Sequence, residues 1–319
     1  MTTSVFEPRC AASQVKKVSI ISAGMIGAAW AGRYVSNGIT VKIWDPDPLA
    51  RQSATEMILK AWSLQHSADP DSEILKEQVV FCTALEEALL DVDFVQESAP
   101  ENVELKRNLL KSIDSKLGDG VLVASSTSGF SISEIGQSTK NPHRFLVGHP
   151  YNPPYIIPFV EIVPGPLTPA SAANWLSEFY STMGMRPVVL NKEVEGFIGN
   201  RLQQAVWHEA LHMLNSGEAT VEQIELAFTH ALGPRWALMG PFSTYSLTGG
   251  ANGMKGFLTK FTNSNEDNWT RLAAPNMNEV LKEKLISETE STMATFDHDD
   301  IEDWRDRNLI KILGTLRTA

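Results

Sequence analysis

Two glycines three residues apart, Gly24 and Gly27, stand where an apolar run meets a helix-compatible stretch. This junction narrows the possible folds more than any other feature of the chain. Lys17-Val18-Ser19-Ile20-Ile21 reads as a buried strand, and Met25 to Asn37 reads as a helix that Gly38 is placed to end. Between them lies Ser22-Ala23-Gly24-Met25-Ile26-Gly27, a G-x-G-x-x-G pattern whose first glycine is replaced by Ser22. Gly24 lets the backbone approach a pyrophosphate, and Gly27 lets the helix pack tightly on the sheet. The helix start at Met25 and Ile26 offers free N–H groups and a positive dipole end to phosphates. Ser22 carries a Cβ that restricts φ, which bears on the affinity for a dinucleotide.

The next strand, Thr40 to Trp44, is followed by Asp45, eighteen residues after Gly27. A carboxylate there accepts hydrogen bonds from a ribose diol and repels a 2′-phosphate, so the pattern favours NAD over NADP. The nearest arginine is Arg51.

Strand-like and helix-like segments continue to alternate. Pro48 to Gln65 reads as a helix, Val79 to Cys82 as a strand, Leu85 to Leu90 as a short helix and Asp93 to Gln96 as a strand. Val103 to Leu117 follows as an amphipathic helix, then Val121 to Ala124, Phe145 to Val147 and Phe159 to Val163 as strands. Such alternation predicts an α/β fold with a Rossmann-type, doubly wound parallel sheet. From Asn191 onward no convincing strand is seen, and helical stretches such as Ile198 to Asn215 and Val221 to Ala231 predict an all-α second domain. Residues 1–14 are expected to form a flexible lead-in without the apolar core of a secretory signal. Residues 15–192 are expected to bind the dinucleotide, and residues 193–319 to form the helical substrate and dimerisation domain.

Charge and cysteine content limit the partners. Lys plus Arg is 27 against 38 for Asp plus Glu, a net charge of −11. A chain this acidic is unsuited to wrapping nucleic acid or coating an anionic membrane. No apolar run approaches the length of a membrane span. The two cysteines, Cys10 and Cys82, form no metal-binding or disulfide pattern, which points to a reducing, cytoplasmic setting and no metal site.

Four segments place polar residues at strand ends or in strands: Ser125-Ser126-Thr127-Ser128-Gly129, Gly148-His149-Pro150-Tyr151-Asn152-Pro153-Pro154, Glu161 within Phe159 to Val163, and Gly196-Phe197-Ile198-Gly199-Asn200-Arg201 at the start of the long helix. In open α/β sheets the carboxyl ends of strands line the ligand crevice. A carboxylate in an apolar strand needs a partner, and a nearby loop histidine would supply one.

With the glycine turn, these motifs occur in an order that resembles the 3-hydroxyacyl-CoA dehydrogenase superfamily over nearly the whole chain. Within it the L-carnitine dehydrogenase branch is the most similar. Gln96 to Glu101, residues 148 to 163, Arg235-Trp236, Met239 to Phe242, Thr244-Tyr245, Gly249-Gly250 and Gly253-Met254 carry that likeness. The lambda-crystallin and L-gulonate dehydrogenase branch is similar to a lesser degree. The resemblance implies that His149 is the general base in alcohol oxidation, and that Glu161 fixes its tautomer and stabilises the imidazolium. It implies that Ser128 and Asn200 hydrogen-bond the reacting oxygen. Glu101 would join Ser22, Gly24, Met25, Ile26, Gly27 and Asp45 in the NAD site. The family commonly has proline before the Gly-Phe pair, where this chain has Glu195.

The substrate reading is coarser. Pro48 to Gln78 holds only Arg51, Lys60 and Lys76 as cations and is richer in acids, which argues against a CoA thioester. A quaternary ammonium has no N–H and is recognised by aromatic faces and negative charge. The second half offers Trp207, Trp236, Phe242, Tyr245, Phe257 and Trp269, of which Trp236, Phe242 and Tyr245 lie in the matched segments; Arg235 and Lys255 are candidates for a substrate carboxylate. The expectation is NAD-dependent oxidation of a small 3-hydroxy acid, L-carnitine first, by a homodimer. L-gulonate, 3-hydroxybutyrate, a 3-hydroxyacyl-CoA, or a non-catalytic crystallin-like role are the alternatives.

Overall fold

In a computed structural model, the structure describes residues 6–67 and 77–237, and beyond these 240–241, 244–245, 256–257, 278–281, 283, 307, 310–311 and 314. The chain divides into two compact units, the first ending at Asn200, beyond the boundary expected at residue 192.

The first unit is built on one eight-stranded sheet. Its strands are β1 (Lys17–Ile21), β2 (Thr40–Trp44), β3 (Val79–Phe81), β4 (Phe94–Glu97), β5 (Leu122–Ser125), β6 (Phe145–Pro150), β7 (Phe159–Pro164) and β8 (Arg186–Val189), in spatial order β3-β2-β1-β4-β5-β6-β7-β8. Among the described residues the helices α1 (Met25–Ser36), α2 (Ala50–His66), α3 (Leu85–Leu89), α4 (Val103–Lys116), α5 (Ile132–Ile135) and, before β8, α6 (Ala170–Thr182) accompany them. The central strands are buried on both faces, and their runs of Val, Ile, Phe and Leu fill two cores, one on each side of the sheet. The chain leaves β1 in one direction, builds β2 and β3, and returns to β4 on the other side. That crossover point is where doubly wound sheets bind their ligands.

Register aligns the chemistry. Ile21 lies opposite Glu97, Glu97 opposite Ser125, and Ser125 opposite Val147. The residues that follow each of these positions therefore emerge at one edge: Ser22, Ser98, Ser126 and Gly148-His149.

Three expectations are corrected. The sheet is not wholly parallel, because β7 runs antiparallel to β6. Only residues 151–158 join the two strands, too few for the crossover a parallel pair requires. His149 consequently sits in β6, which extends to Pro150, and not in a loop. Third, the lead-in is packed from Phe6 onward. Phe6 and Ala12 are buried, the Arg9 N–H donates to the Gly120 carbonyl, and the Trp175 indole N–H donates to the Cys10 carbonyl at 2.8 Å. A few apolar side chains and a tryptophan donor suffice to hold this short segment, with its 3-10 turn at Ala12–Gln14, on α6.

In the second unit the described residues are helical. Helix α7 (Gly199–Ser216) starts at the end of the first unit. It is followed by α8 (Val221–Ala227), a π-helical turn over Phe228–Leu232 and α9 (Gly233–Trp236). Thr220 and Gln223 close a reciprocal capping box at the start of α8. No described helix is long and apolar enough to cross a membrane.

Candidate active site

The dinucleotide end of the site is formed by the turn from β1 into α1. Gly24 caps α1 without any side-chain hydrogen bond, and no acidic residue occupies the first turn. The orphan N–H groups of that turn are thus left for an external anion. A Cβ on Gly24 would meet nothing within 4 Å, so the space before the helix is open to a ligand. Gly27 serves a different purpose, since a Cβ there would fall 1.9 Å from the Ser22 carbonyl oxygen. Met25 is exposed and Ile26 half-buried at the head of the helix.

Ser22 adopts a left-handed backbone, φ 72°, the conformation for which a glycine would be the easy choice. Its hydroxyl donates to Asp45 Oδ2 at 3.1 Å, and the next N–H, of Ala23, donates to the same oxygen at 2.7 Å. The Asp47 N–H donates to Asp45 Oδ1. Asp45 is therefore held in place by the turn it serves, with acceptor capacity remaining on Oδ1 for a ribose hydroxyl. Open space, an uncapped helix start and a fixed acid beside them fit NAD.

The catalytic end follows from the β6·β7 pairing, which sets His149 directly opposite Glu161. His149 Nδ1 lies 2.8 Å from Glu161 Oε2, with Glu161 fully buried and His149 6% exposed. The other carboxylate oxygen, Oε1, accepts the N–H groups of Ile198 at 2.8 Å and Gly199 at 3.0 Å. Phe197, buried and left-handed at φ 53°, turns these two consecutive N–H groups onto the carboxylate, and its ring packs 5.4 Å from the imidazole. Burial pushes the Glu161 carboxyl upward, but the bonds from His149, Gly199 and Ile198 outweigh it and hold the group below its ordinary value. A carboxylate that stays ionised takes the Nδ1 proton as an acceptor. It leaves Nε2 of His149 as the basic nitrogen.

Ser128 and Asn200 are brought together. The Asn200 Nδ2 donates to the Ser128 carbonyl at 2.8 Å, and its Oδ1 lies 3.5 Å from the Tyr151 hydroxyl. The Ser128 N–H in turn donates to Glu101 Oε1 at 2.7 Å, as does the Thr127 hydroxyl at 2.6 Å. Glu101, expected at the cofactor, thus has one oxygen occupied in shaping the serine loop. Beneath it lies a buried ion pair that sequence reasoning missed. Lys106 Nζ contacts Glu97 at 2.9 and 3.2 Å, donates to the Ala99 carbonyl and approaches Glu101 Oε2 at 3.6 Å. The signal was present in a lysine on the apolar face of α4, where it reads as an interruption of the pattern.

Tyr151 was also missed as a site residue. Its ring stands edge-on to His149 at 5.4 Å, and burial followed by the Glu161 charge pushes its phenol up to about 12. The spacing His-x-Tyr along an extended chain, which puts both side chains on one face, was the available clue.

In the second unit Trp236 stands edge-on to Phe228, centroids 6.5 Å apart. Both line an apolar cavity of about 450 Å³ with Val206, Glu209, Met213 and Ile224. Arg235 and Tyr245 are exposed, and Tyr245 lies 4.7 Å from the Phe257 ring. Phe242 and Lys255 lie outside the described residues.

A helix start open to an anion and an imidazole backed by a buried carboxylate, on neighbouring parts of one sheet, form an arrangement suited to a pyridine-nucleotide dehydrogenase. The description "3-hydroxyacyl-CoA dehydrogenase, NAD binding domain" matches residues 17–194, and "3-hydroxyacyl-CoA dehydrogenase, C-terminal domain" matches residues 196–292. An L-carnitine dehydrogenase of Nocardiopsis dassonvillei is 41% identical over 302 residues, 95% of this chain and 92% of the relative. One from Streptomyces coelicolor is 40% identical over 299 residues, 94% of each. Among solved structures, a 5-formyl-3-hydroxy-2-methylpyridine 4-carboxylic acid 5-dehydrogenase has a TM-score of 0.81 at 24% identity, covering 95% of this chain and 99% of that one; it bears on the fold alone. The chain belongs to the 3-hydroxyacyl-CoA dehydrogenase family and is an NAD-dependent dehydrogenase acting on a CH–OH group.

Proposed function

We propose that the protein oxidises L-carnitine to 3-dehydrocarnitine, with His149 as general base. The single observation that carries the substrate is the level of identity, about 40% over nearly the whole chain, to L-carnitine dehydrogenases. NAD, held at the start of α1 by Gly24 to Gly27 and by Asp45, would supply the acceptor for the hydride of the carbinol carbon. His149 takes the hydroxyl proton at Nε2 while its Nδ1–H remains on Glu161, whose charge stabilises the imidazolium. Ser128 and Asn200 hydrogen-bond the substrate oxygen and keep it within reach of the imidazole. The Asp45 carboxylate takes the adenosine ribose and disfavours a 2′-phosphate.

Trp236 is our candidate for recognising the trimethylammonium group. The Trp236 and Phe228 faces beside Glu209 supply the aromatic surface and negative charge that a cation without N–H groups requires. Tyr245 is assigned to the same aromatic recognition and Arg235 to the substrate carboxylate. The protein acts as a homodimer through its helical unit, where Leu202, Trp207 and Leu226 are exposed apolar residues. A cytoplasmic location accords with two free cysteines.

Initial rates of NAD reduction on a panel of L-carnitine, L-gulonate, L-3-hydroxybutyrate and a 3-hydroxybutyryl thioester test the substrate. L-carnitine is expected to give the highest kcat/KM by at least tenfold. A higher value on any other member overturns the substrate assignment while leaving the family intact.

A further inference from the structure

We propose that Tyr151 is a positioning residue for the reaction: its hydroxyl, seated over Gly199, faces the Asn200 amide oxygen and supports the orientation, set by the Ser128 carbonyl, in which Nδ2 serves the reacting oxygen. The inference rests on the reading that Asn200 hydrogen-bonds that oxygen.

An asparagine amide is nearly symmetrical in shape, and its two ends have opposite hydrogen-bonding character. Only the N–H₂ end can donate to an alkoxide-like oxygen, so a site that uses Asn200 must suppress the flipped state. The Ser128 carbonyl selects the amide end, and Tyr151 steadies the other end. Nδ2 donates to the Ser128 carbonyl at 2.8 Å, and Oδ1 faces the Tyr151 hydroxyl at 3.5 Å. After a flip, Oδ1 would oppose the Ser128 carbonyl oxygen, acceptor against acceptor. One amide hydrogen is used on Ser128, which leaves the second for substrate.

The seat for the hydroxyl is built into the backbone. A Cβ on Gly199 would lie 1.8 Å from the Tyr151 oxygen and 2.5 Å from the ring carbon that bears it. The first residue of an 18-residue helix is thus required to be glycine, a poor helix former, because the tyrosine occupies the volume. The ring cannot swing away either. It is held edge-on by His149 at 5.4 Å and by Phe159 at 5.5 Å. The phenol keeps its proton throughout the neutral range, since burial and the Glu161 charge raise it. It can therefore donate to Asn200 Oδ1 across that range. A phenylalanine would fill the same space without the donor, so the hydroxyl itself is the testable part.

The experiment is a double-mutant cycle of wild type, Tyr151→Phe, Asn200→Ala and the double variant. It uses the hydroxy acid of the panel that wild type oxidises fastest. Loss of one neutral hydrogen bond predicts a fall in kcat of about five- to tenfold for Tyr151→Phe. KM and the NADH dissociation constant, read by fluorescence, are expected to stay within about twofold, and the pH profile to keep its position. In the Asn200→Ala background, Tyr151→Phe is expected to change kcat no further. Additive losses, with Asn200→Ala itself impaired, overturn the positioning role alone. A shifted alkaline limb in Tyr151→Phe overturns it too, in favour of a titrating tyrosine. Wild-type kcat in Asn200→Ala overturns the underlying site reading and the proposal together.

Discussion

Replacing Glu161 by glutamine probes the centre of the site with the smallest change of shape. The side chain can still accept the Ile198 and Gly199 N–H groups through its amide oxygen, since those bonds of 2.8 and 3.0 Å converge on one atom. The other end becomes an N–H₂ group facing His149 Nδ1 at the former 2.8 Å contact. A donor there forces Nδ1 to accept, so the imidazole proton moves to Nε2, the nitrogen the mechanism needs free. A wrong tautomer removes general-base catalysis, worth about 10²- to 10⁴-fold, and kcat is expected to fall within that range. The lost charge-assisted bond costs about 1.5–3 kcal/mol of stability at neutral pH. The pH sign follows from the lowered Glu161 value. A group held below its unfolded value stabilises the fold above the ordinary carboxylate range and loses that contribution as pH falls through its lowered value. Melting temperature in wild type should therefore drop more steeply below about pH 4 than in Glu161→Gln. Stopped-flow NADH absorbance gives the rate, and scanning calorimetry against pH gives the stability. A variant that keeps kcat within threefold of wild type while binding NADH normally would refute the tautomer argument.

Two further outcomes are expected. Gly27→Ala places a methyl 1.9 Å from the Ser22 carbonyl, a backbone atom that cannot move alone; NADH affinity should fall at least tenfold or the protein should fail to fold, and fluorescence titration with circular dichroism distinguishes the two. Trp236→Ala should raise KM for L-carnitine about tenfold, matching roughly 1–2 kcal/mol for a cation–π contact, and leave KM for hydroxy acids without an ammonium group unchanged; equal effects on both would remove Trp236 from ammonium recognition.

Much of the fold was legible because buried parallel strands advertise themselves. Ile20-Ile21, Val95 and Val121 to Ala124 are apolar on both faces, and the glycine turn fixes which edge binds ligand. Strand β8 was not legible: it is four residues long, three of them exposed, and so lacks both run and alternation. The pairing of His149 with Glu161 was legible from the need of a strand carboxylate for a partner, but its route, antiparallel register between β6 and β7, was not, because residue types do not encode register locally. The supporting groups were the least visible. Phe197 matters through a left-handed backbone, Gly199 through an absent side chain and Lys106 through a buried partner nine positions earlier. Each of these acquires meaning only when distant segments meet.

The most direct measurement of the account is His149→Ala, followed by NADH fluorescence titration and by single-turnover NAD reduction with L-carnitine. The NADH dissociation constant is expected to stay within twofold of wild type and turnover to fall at least a hundredfold. Turnover close to the wild-type rate with coenzyme binding intact would mean that the proton goes elsewhere, and the imidazole–carboxylate pair would then be only a structural feature of the β6·β7 ladder.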